Sequence, residues 1–288
     1  MKTKIIVARP IFEATLARLR EHFDVTDNQA DVAWTKASWA QALAQHAGAL
    51  TTGSDPVDAE VLKACPSLKA VANMAVGYNN FDVPAMTAQG VQASNTPDVL
   101  TETTADFGFA LLMATARRIT ESEHYLRRGE WTQWRYDMFA GAEVHGSTIG
   151  ILGMGRIGRA IAKRAAGFDM RISYTGREAK ADVPYTFYKT VTALAAEVDY
   201  LVVAVPGGDK TKNLISAAVL QALGPKGYLI NIARGSVVDQ PALVQALKEK
   251  NLAGAALDVF WDEPVVDPEL RRMHNVVITP HMASSTEE

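Results

Sequence analysis

Three side chains in the second half of the sequence have types that together suit the reduction of a carbonyl: Arg234, Glu263 and His281. Hydride transfer to a carbonyl needs a proton donor for the developing alkoxide and a cation that fixes an anionic substrate. Imidazole suits the first role because it ordinarily titrates at about 6.5, near working pH. A neighbouring carboxylate favours the imidazolium and orients the ring. Arginine suits the second role by gripping a carboxylate through two parallel hydrogen bonds. Each residue also has an ordinary structural reading. Arg234 could cap a helix, Glu263 could be a loop carboxylate, and one histidine among six is usually structural. Position joins them. Each follows an apolar run that reads as a strand, in NIARG, DVFWDEP and VITPH. Ligands of open parallel sheets bind at the carboxyl ends of strands.

The element that must position them is announced upstream. Thr148–Leu152 is a short apolar run, long enough for one buried strand, and Gly153, Gly155 and Gly158 follow in G-x-G-x-x-G spacing. Ile157, Ile161, Ala162 and Ala165 then recur at helical spacing. In such a turn the first glycine permits the tight bend, the second lets backbone approach a pyrophosphate, and the third lets helix and strand pack closely. The bare amides opening the helix face the phosphate oxygens. A second strand at 170–175 completes the pattern, which predicts dinucleotide binding. That strand ends in Thr175-Gly176-Arg177 rather than in the carboxylate that usually holds an NAD ribose. A guanidinium can hold a 2′-phosphate, so the sequence predicts NADPH, with NADH possible. In the other reading Arg177 is solvated and Glu178 faces the ribose.

With 288 residues, 48% hydrophobic and 21% charged, the chain suits two soluble domains, each with its own core. A net charge of −3 argues against nucleic acid or an anionic membrane as partner. The single cysteine, Cys65, excludes an intrachain disulfide and reads as a small buried hydrophobe. No signal-peptide pattern or membrane-length apolar run is seen, and a cytoplasmic location is the expectation. No metal site is expected. Strands at 5–8, 23–26, 49–52, 68–73 and 91–94 alternate with helices at 11–22, 38–45 and 58–64, a parallel α/β layer arrangement without a phosphate turn. A helix from Thr101 to about 118, capped by Thr101, Glu102 and Thr104, is apolar nearly all round and reads as the buried connector between domains. After a helix at 121–129 comes WTQWRYDMF at 131–139. Its composition suits either an interface or a satellite core under a loop. Further strands are expected at 200–205, 227–232, 253–259 and 276–279, with a helix at 240–248.

The order GMGRIG, NIARG, LDVFWDEP, NVVITPH, with AVGYNNFD at 75–82 and TPDVLTETTADFGFALLMATARR, resembles the D-isomer-specific 2-hydroxyacid dehydrogenase family over essentially the whole chain. The resemblance implies an α/β fold of two doubly wound parallel-sheet domains: a flavodoxin-like substrate-binding domain at 1–98 and a Rossmann NAD(P)-binding domain at 99–281, closing over a cleft. It implies that Arg234 binds the substrate carboxylate and keto oxygen, that His281 is the acid/base and Glu263 its partner, and that the amides of Val76 and Gly77 hold the carboxylate. Cofactor contacts would come from Gly155, Arg156, Ile157, Pro206, Ile232 and Asp258, with Thr101 and Ser284 near the nicotinamide. YTGR and WTQW look most like glyoxylate/hydroxypyruvate reductases, with 2-ketogluconate reductases nearly as close. The expected reaction is NADPH-dependent reduction of a small 2-keto acid to the D-2-hydroxy acid. The C-terminal-binding corepressors, dinucleotide sensors, carry a similar Arg/Glu/His set and form the alternative of another class. Trp134 matches a tryptophan that reaches a neighbouring subunit's pocket, so a homodimer is expected. Family members continue for several tens of residues beyond a point like HMASSTEE, so the helix returning to the first domain is expected to lie beyond residue 288.

Overall fold

Runs of small and branched apolar residues, each followed by a stretch with one apolar face, fold as alternating strand and helix. In the computed structural model, which describes residues 1–287, the chain divides into two units, Met1–Val99 and Leu100–Glu288. The first contains β1 (Lys4–Val7), α1 (Glu13–His22), β2 (Asp24–Asp27), α2 (Lys36–Leu43), β3 (Gly48–Thr51), α3 (Ala59–Ala64), β4 (Ala70–Asn73), α4 (Val83–Gln89) and β5 (Gln92–Ser94). Its sheet is parallel throughout in the order β2-β1-β3-β4-β5. This is the doubly wound, flavodoxin-like order. Trp39, Leu43, Val61, Leu62, Cys65 and Met86 form its core with Ile6, Ala49 and Val71 of the strands. Burial pushes the Cys65 thiol pKa up, as an inert hydrophobe requires.

Caps set the helix starts. Thr35 and Ser38 make a reciprocal capping box, so α2 begins at Lys36, ahead of the expected 38. The Asp58 carboxylate accepts from Glu60 N and Val61 N and starts α3. Helix α4 was not among the expected elements. It has Asp82 as its cap, Pro84 in its first turn and Gly90 in the left-handed region at its end, but one buried residue, Met86, and so no periodicity to read.

The second unit contains α5 (Thr101–Ala116), α6 (Ile119–Arg127), β6 (Thr148–Leu152), α7 (Arg156–Ala166), β7 (Arg171–Thr175), β8 (Thr186–Tyr188), α8 (Val191–Ala195), β9 (Tyr200–Val203), α9 (Ala217–Leu223), β10 (Tyr228–Asn231), α10 (Gln240–Lys248), β11 (Gly254–Leu257), α11 (Pro268–Arg272) and β12 (Val276–Ile278). The sheet, again parallel, runs β12-β11-β10-β9-β6-β7-β8. The chain builds outward from β6 in one direction, returns, and builds outward in the other, the Rossmann arrangement. Strands β6, β9 and β11 are buried almost throughout, as a sheet covered on both faces demands. Alternate residues feed two cores. Leu201, Val203, Leu229 and Leu257 pack with α8, α9 and α10, while Ile149, Ile151, Val202 and Ile230 pack with α5 and α7.

Two expectations are corrected. No side chain caps α5: Leu100 stands at the cap position without a side-chain hydrogen bond. The Thr104 hydroxyl is buried and, among the described residues, has no partner. Helix α5 is instead held by packing against α7, β10 and β11. The segment 128–147 is not a satellite core for its largest rings. Trp131, Trp134 and Tyr136 are 53%, 76% and 88% exposed. Phe139 alone packs, edge-on to Tyr125 and under the Arg118 guanidinium. Among the described residues no helix is long and apolar enough to cross a membrane.

The glycine turn after β6 separates the three jobs its spacing implies. Gly153 adopts φ +102°, and a Cβ there would stand 2.6 Å from the Ala204 carbonyl oxygen. At Gly155 an added Cβ meets nothing within 4 Å. At Gly158 it would lie 2.1 Å from the Gly153 carbonyl oxygen. Gly155 is also the uncapped N-cap of α7, so the helix amides open onto that clear space. Gly158→Ala is therefore expected to destabilise the protein by about 1–3 kcal/mol, as overpacking does. Gly155→Ala should leave the melting temperature unchanged and weaken nucleotide binding. Thermal melts and nucleotide titrations of the two variants check this pair.

Candidate active site

Parallel pairing sets the strand ends level. One rung of the register passes through Thr175, Leu152, Val203, Asn231, Leu257 and Ile278. Gly153, Ile232, Asp258 and Thr279 follow it directly, and Arg234, Glu263 and His281 lie a few residues farther on. Neighbouring strands are about 4.8 Å apart, so β10, β11 and β12 deliver Arg234, Glu263 and His281 side by side.

The Glu263 and His281 side chains are joined. Glu263 Oε2 accepts from His281 Nδ1 at 2.7 Å, and Glu263 Oε1 accepts from Phe260 N at 2.9 Å. A carboxylate only accepts, so Nδ1 carries a proton and Nε2 is the nitrogen left to exchange one with a ligand. Burial acts to raise the Glu263 pKa. The hydrogen bonds from His281 and Phe260 N, helped by the charges of His281 and Arg234, outweigh it and hold the carboxyl below its ordinary range. Glu263 is thus ionised throughout the neutral range and loses its charge only at acid pH.

His281 occupies the left-handed region at φ +52°, uncommon for a residue with a side chain. The turn that keeps it there is tied to Asp258. This carboxylate is completely buried. It accepts from Thr279 Oγ1 at 2.7 Å, from Met282 N at 2.9 Å and from Ala283 N at 2.9 Å. Donors on both sides of His281 therefore converge on one anion. The carboxylate expected to contact a cofactor also braces the protein's own loop.

Arg234 is positioned by an amide. Asn231, 1% exposed, donates from Nδ2 to the Arg234 carbonyl and accepts from Ala233 N, each at 3.0 Å. The 3-10 turn Gly235–Val237 follows, and a Cβ at Gly235 would fall 1.9 Å from the Phe260 carbonyl carbon. Only glycine lets the Arg234 loop lie on the Phe260–Trp261 backbone that leads to Glu263. Burial pulls the Arg234 guanidinium pKa below its ordinary value, and the nearby Glu263 charge opposes this. Among the described residues Arg234 makes no ion pair, and its Nη1 donates to the Ala233 carbonyl at 2.6 Å. It is a largely buried cation without an anion of its own.

The other expected residues distribute as follows. Thr175 is buried, and its carbonyl accepts from Gly153 N at 3.0 Å. Arg177 and Glu178 are both exposed just past β7. Arg156 and Ile157 open α7 and Thr101 opens α5. Pro206 and Ser284 are exposed at the carboxyl edge, and Ile232 is buried there. Trp134 lies outside the sheet, in 128–147. Val76 and Gly77 belong to the first unit, in the loop after β4. Sequence reasoning passed over Asn231 and the bracing task of Asp258. A signal existed, since a lone amide or acid closing an apolar strand is placed to tie the following turn.

A family model described as "D-isomer specific 2-hydroxyacid dehydrogenase, NAD binding domain" matches residues 109–283. The glyoxylate reductase of Thermococcus onnurineus is 44% identical over 293 residues, covering 99% of this chain and 88% of that protein. The glyoxylate reductase of Pyrococcus horikoshii is 43% identical over 299 residues, with 99% and 88% covered. The crystal structure of an NADPH-dependent glyoxylate/hydroxypyruvate reductase from Sinorhizobium meliloti, in complex with NADP and malonate, superimposes with a TM-score of 0.88. That match has 39% identity and covers 100% of this chain and 88% of that one. The chain belongs to the D-isomer-specific 2-hydroxyacid dehydrogenases, enzymes that use a nicotinamide dinucleotide.

Proposed function

We propose that the chain reduces a small 2-keto acid, glyoxylate or hydroxypyruvate, to the D-2-hydroxy acid in the cytoplasm, with NADPH as the preferred reductant. The observation that carries this reading is the Glu263–His281 hydrogen bond at 2.7 Å on the strand edge that also bears the unpaired Arg234. The names of the relatives from Thermococcus onnurineus and Sinorhizobium meliloti support the substrate and the cofactor. When bound, the reduced nicotinamide supplies a hydride to the carbonyl carbon. His281 delivers the proton from Nε2 to the carbonyl oxygen, and Glu263 balances its charge while it holds that proton. Arg234 takes the substrate carboxylate and keto oxygen through its fork of donors, and within the first unit the amides of Val76 and Gly77 are carboxylate donors. Gly153, Gly155 and Gly158 with the first amides of α7, at Arg156 and Ile157, receive the pyrophosphate. Arg177 receives the 2′-phosphate beside Thr175. Pro206, Ile232, Asp258, Thr101 and Ser284 complete the dinucleotide's surroundings. The exposed Trp134 belongs to a homodimer contact and reaches the partner's pocket.

The deciding experiment is kcat/KM for glyoxylate, hydroxypyruvate and 2-ketogluconate with NADPH and with NADH. Turnover led by either of the first two with NADPH supports the proposal, and a lead for 2-ketogluconate redirects the substrate. Tight nucleotide binding with no reduction of any 2-keto acid contradicts it and favours a dinucleotide sensor.

Two variant sets test the parts. Arg177→Asp removes a charge-assisted phosphate contact and adds repulsion. It is expected to raise the KM for NADPH by about 30- to 150-fold, the equivalent of roughly 2–3 kcal/mol, while changing that for NADH little. Equal effects on both cofactors would remove Arg177 from the 2′-phosphate.

His281→Gln is expected to lower kcat by about 10²–10⁴ at neutral pH, the usual cost of a lost general acid. Glu263→Gln should cost less, because it keeps the side chain's shape while removing the anion beside the imidazolium. Because the Glu263 pKa is depressed, the acid limb that its protonation gives the wild type lies below the ordinary carboxylate range and should vanish in Glu263→Gln. Profiles of kcat against pH for the three proteins decide, and an acid limb that persists unchanged in Glu263→Gln would take Glu263 out of the proton transfer.

A further inference from the structure

The loop after β4 shows a division between its two kinds of backbone group. The carbonyls of Ala75, Val76 and Gly77 are held. Ala75 O accepts from Thr96 N at 3.1 Å, Val76 O accepts from Asn95 Nδ2 at 2.9 Å, and Gly77 O accepts from Asn73 Nδ2 at 2.8 Å. Its amides are not. Among the described residues the N–H groups of Ala75, Val76, Gly77 and Tyr78 make no hydrogen bond, while Met74 N, just before them, donates to Thr51 O at 2.7 Å. Each carbonyl that is pinned fixes the direction of the N–H on the other side of its peptide plane. Successive unpaired amides fixed in this way are donors of the kind an anion takes.

We infer that Asn95 and Asn73 are positioning residues for a substrate carboxylate: Asn95, through the Val76 carbonyl, sets the Gly77 amide, and Asn73, through the Gly77 carbonyl, holds the next peptide plane and its Tyr78 amide. The inference rests on the proposed reading of this protein as a 2-keto acid reductase. Asn73 is built for the task. It is 1% exposed, and its Oδ1 accepts from Thr51 Oγ1 at 3.0 Å, which fixes the amide so that Nδ2 faces Gly77 O. The next turn is fastened by a second amide, Asn80, which donates to Thr52 O at 3.0 Å and to Asp55 O at 2.8 Å. Asn95 sits just beyond β5, on the strand next to β4, and ties the Val76 carbonyl from that side. Neither asparagine is required to touch the substrate. Their effect is to keep two peptide planes from turning, so the amides meet the carboxylate already aligned.

The test is steady-state kinetics of Asn95→Ala and Asn95→Leu, with oxalate as an inhibitor that offers carboxylate but no reducible carbonyl. Asn95 is only half-buried, so these variants should keep the wild-type melting temperature. The expected result is a rise in the KM for glyoxylate and in the Ki for oxalate of about three- to tenfold, the effect of one neutral hydrogen bond. The kcat and the KM for NADPH should stay within about twofold, because the interaction serves ground state and transition state alike. Asn73→Leu should act in the same direction. Being buried, it carries a risk to the fold that Asn95 does not, so the Asn95 variants decide. An unchanged KM and Ki in both Asn95 variants, with wild-type turnover of glyoxylate intact, would overturn the inference alone. If the wild type neither reduces a 2-keto acid nor binds oxalate, the reading beneath it falls too.

Discussion

A buried carboxylate holds the chemistry in place. Asp258 has no contact with water, and an isolated charge in that position would cost several kcal/mol. It is tolerated because Thr279, Met282 and Ala283 bring three donors to it. That need runs in both directions: the anion requires the donors, and the donors lie on the turn that carries His281 in a left-handed conformation. Such a conformation costs about 1–2 kcal/mol and persists only where its surroundings over-determine it. The imidazole therefore meets Glu263 without any search by the loop. Its place is set before a ligand arrives.

The same logic couples the three site loops. Gly235 lies so close to Phe260 that no side chain fits, and Phe260 N in turn holds one oxygen of Glu263. Asn231 holds the backbone on either side of the Arg234 turn. Arg234, Glu263 and His281 are thus carried by adjacent strands, and the loops of Arg234 and Glu263 touch through backbone. A displacement of one loop is passed to the next through close packing rather than through flexible side chains.

How much of this was legible in the sequence follows from the physics of each signal. The fingerprint glycines could be read because each answers a local demand: a positive φ at Gly153, clear space at Gly155, a close carbonyl at Gly158. Arg234, Glu263 and His281 could be read because parallel strands all end on one edge, so order along the chain becomes proximity in space. Helices α4, α8, α9 and α11, of five to seven residues, escaped because so short an apolar face rarely shows a period, although the six-residue α3 behind Asp58 was read. Their caps, such as Thr190 and Asp267, were the available clue. The cap expected from Thr101, Glu102 and Thr104 failed because packing of the apolar faces of α5 sets its place instead. The exposure of Trp131, Trp134 and Tyr136 was beyond reach, since composition does not say which way a ring points. Asn73, Asn95 and Asn231 act on carbonyls several residues away, and only the folded turns reveal those pairings.

The claim on which everything else rests is that His281 is held against Glu263 in the ligand-free protein. Nitrogen-15 imidazole NMR tests it directly, with the His281 signals assigned by their loss in His281→Gln. The account predicts an Nδ1 proton hydrogen-bonded to carboxylate in the free wild type, and its loss in a folded Asp258→Asn. A wild type lacking that bonded proton, or an Asp258→Asn spectrum with the His281 signals unmoved, would contradict it.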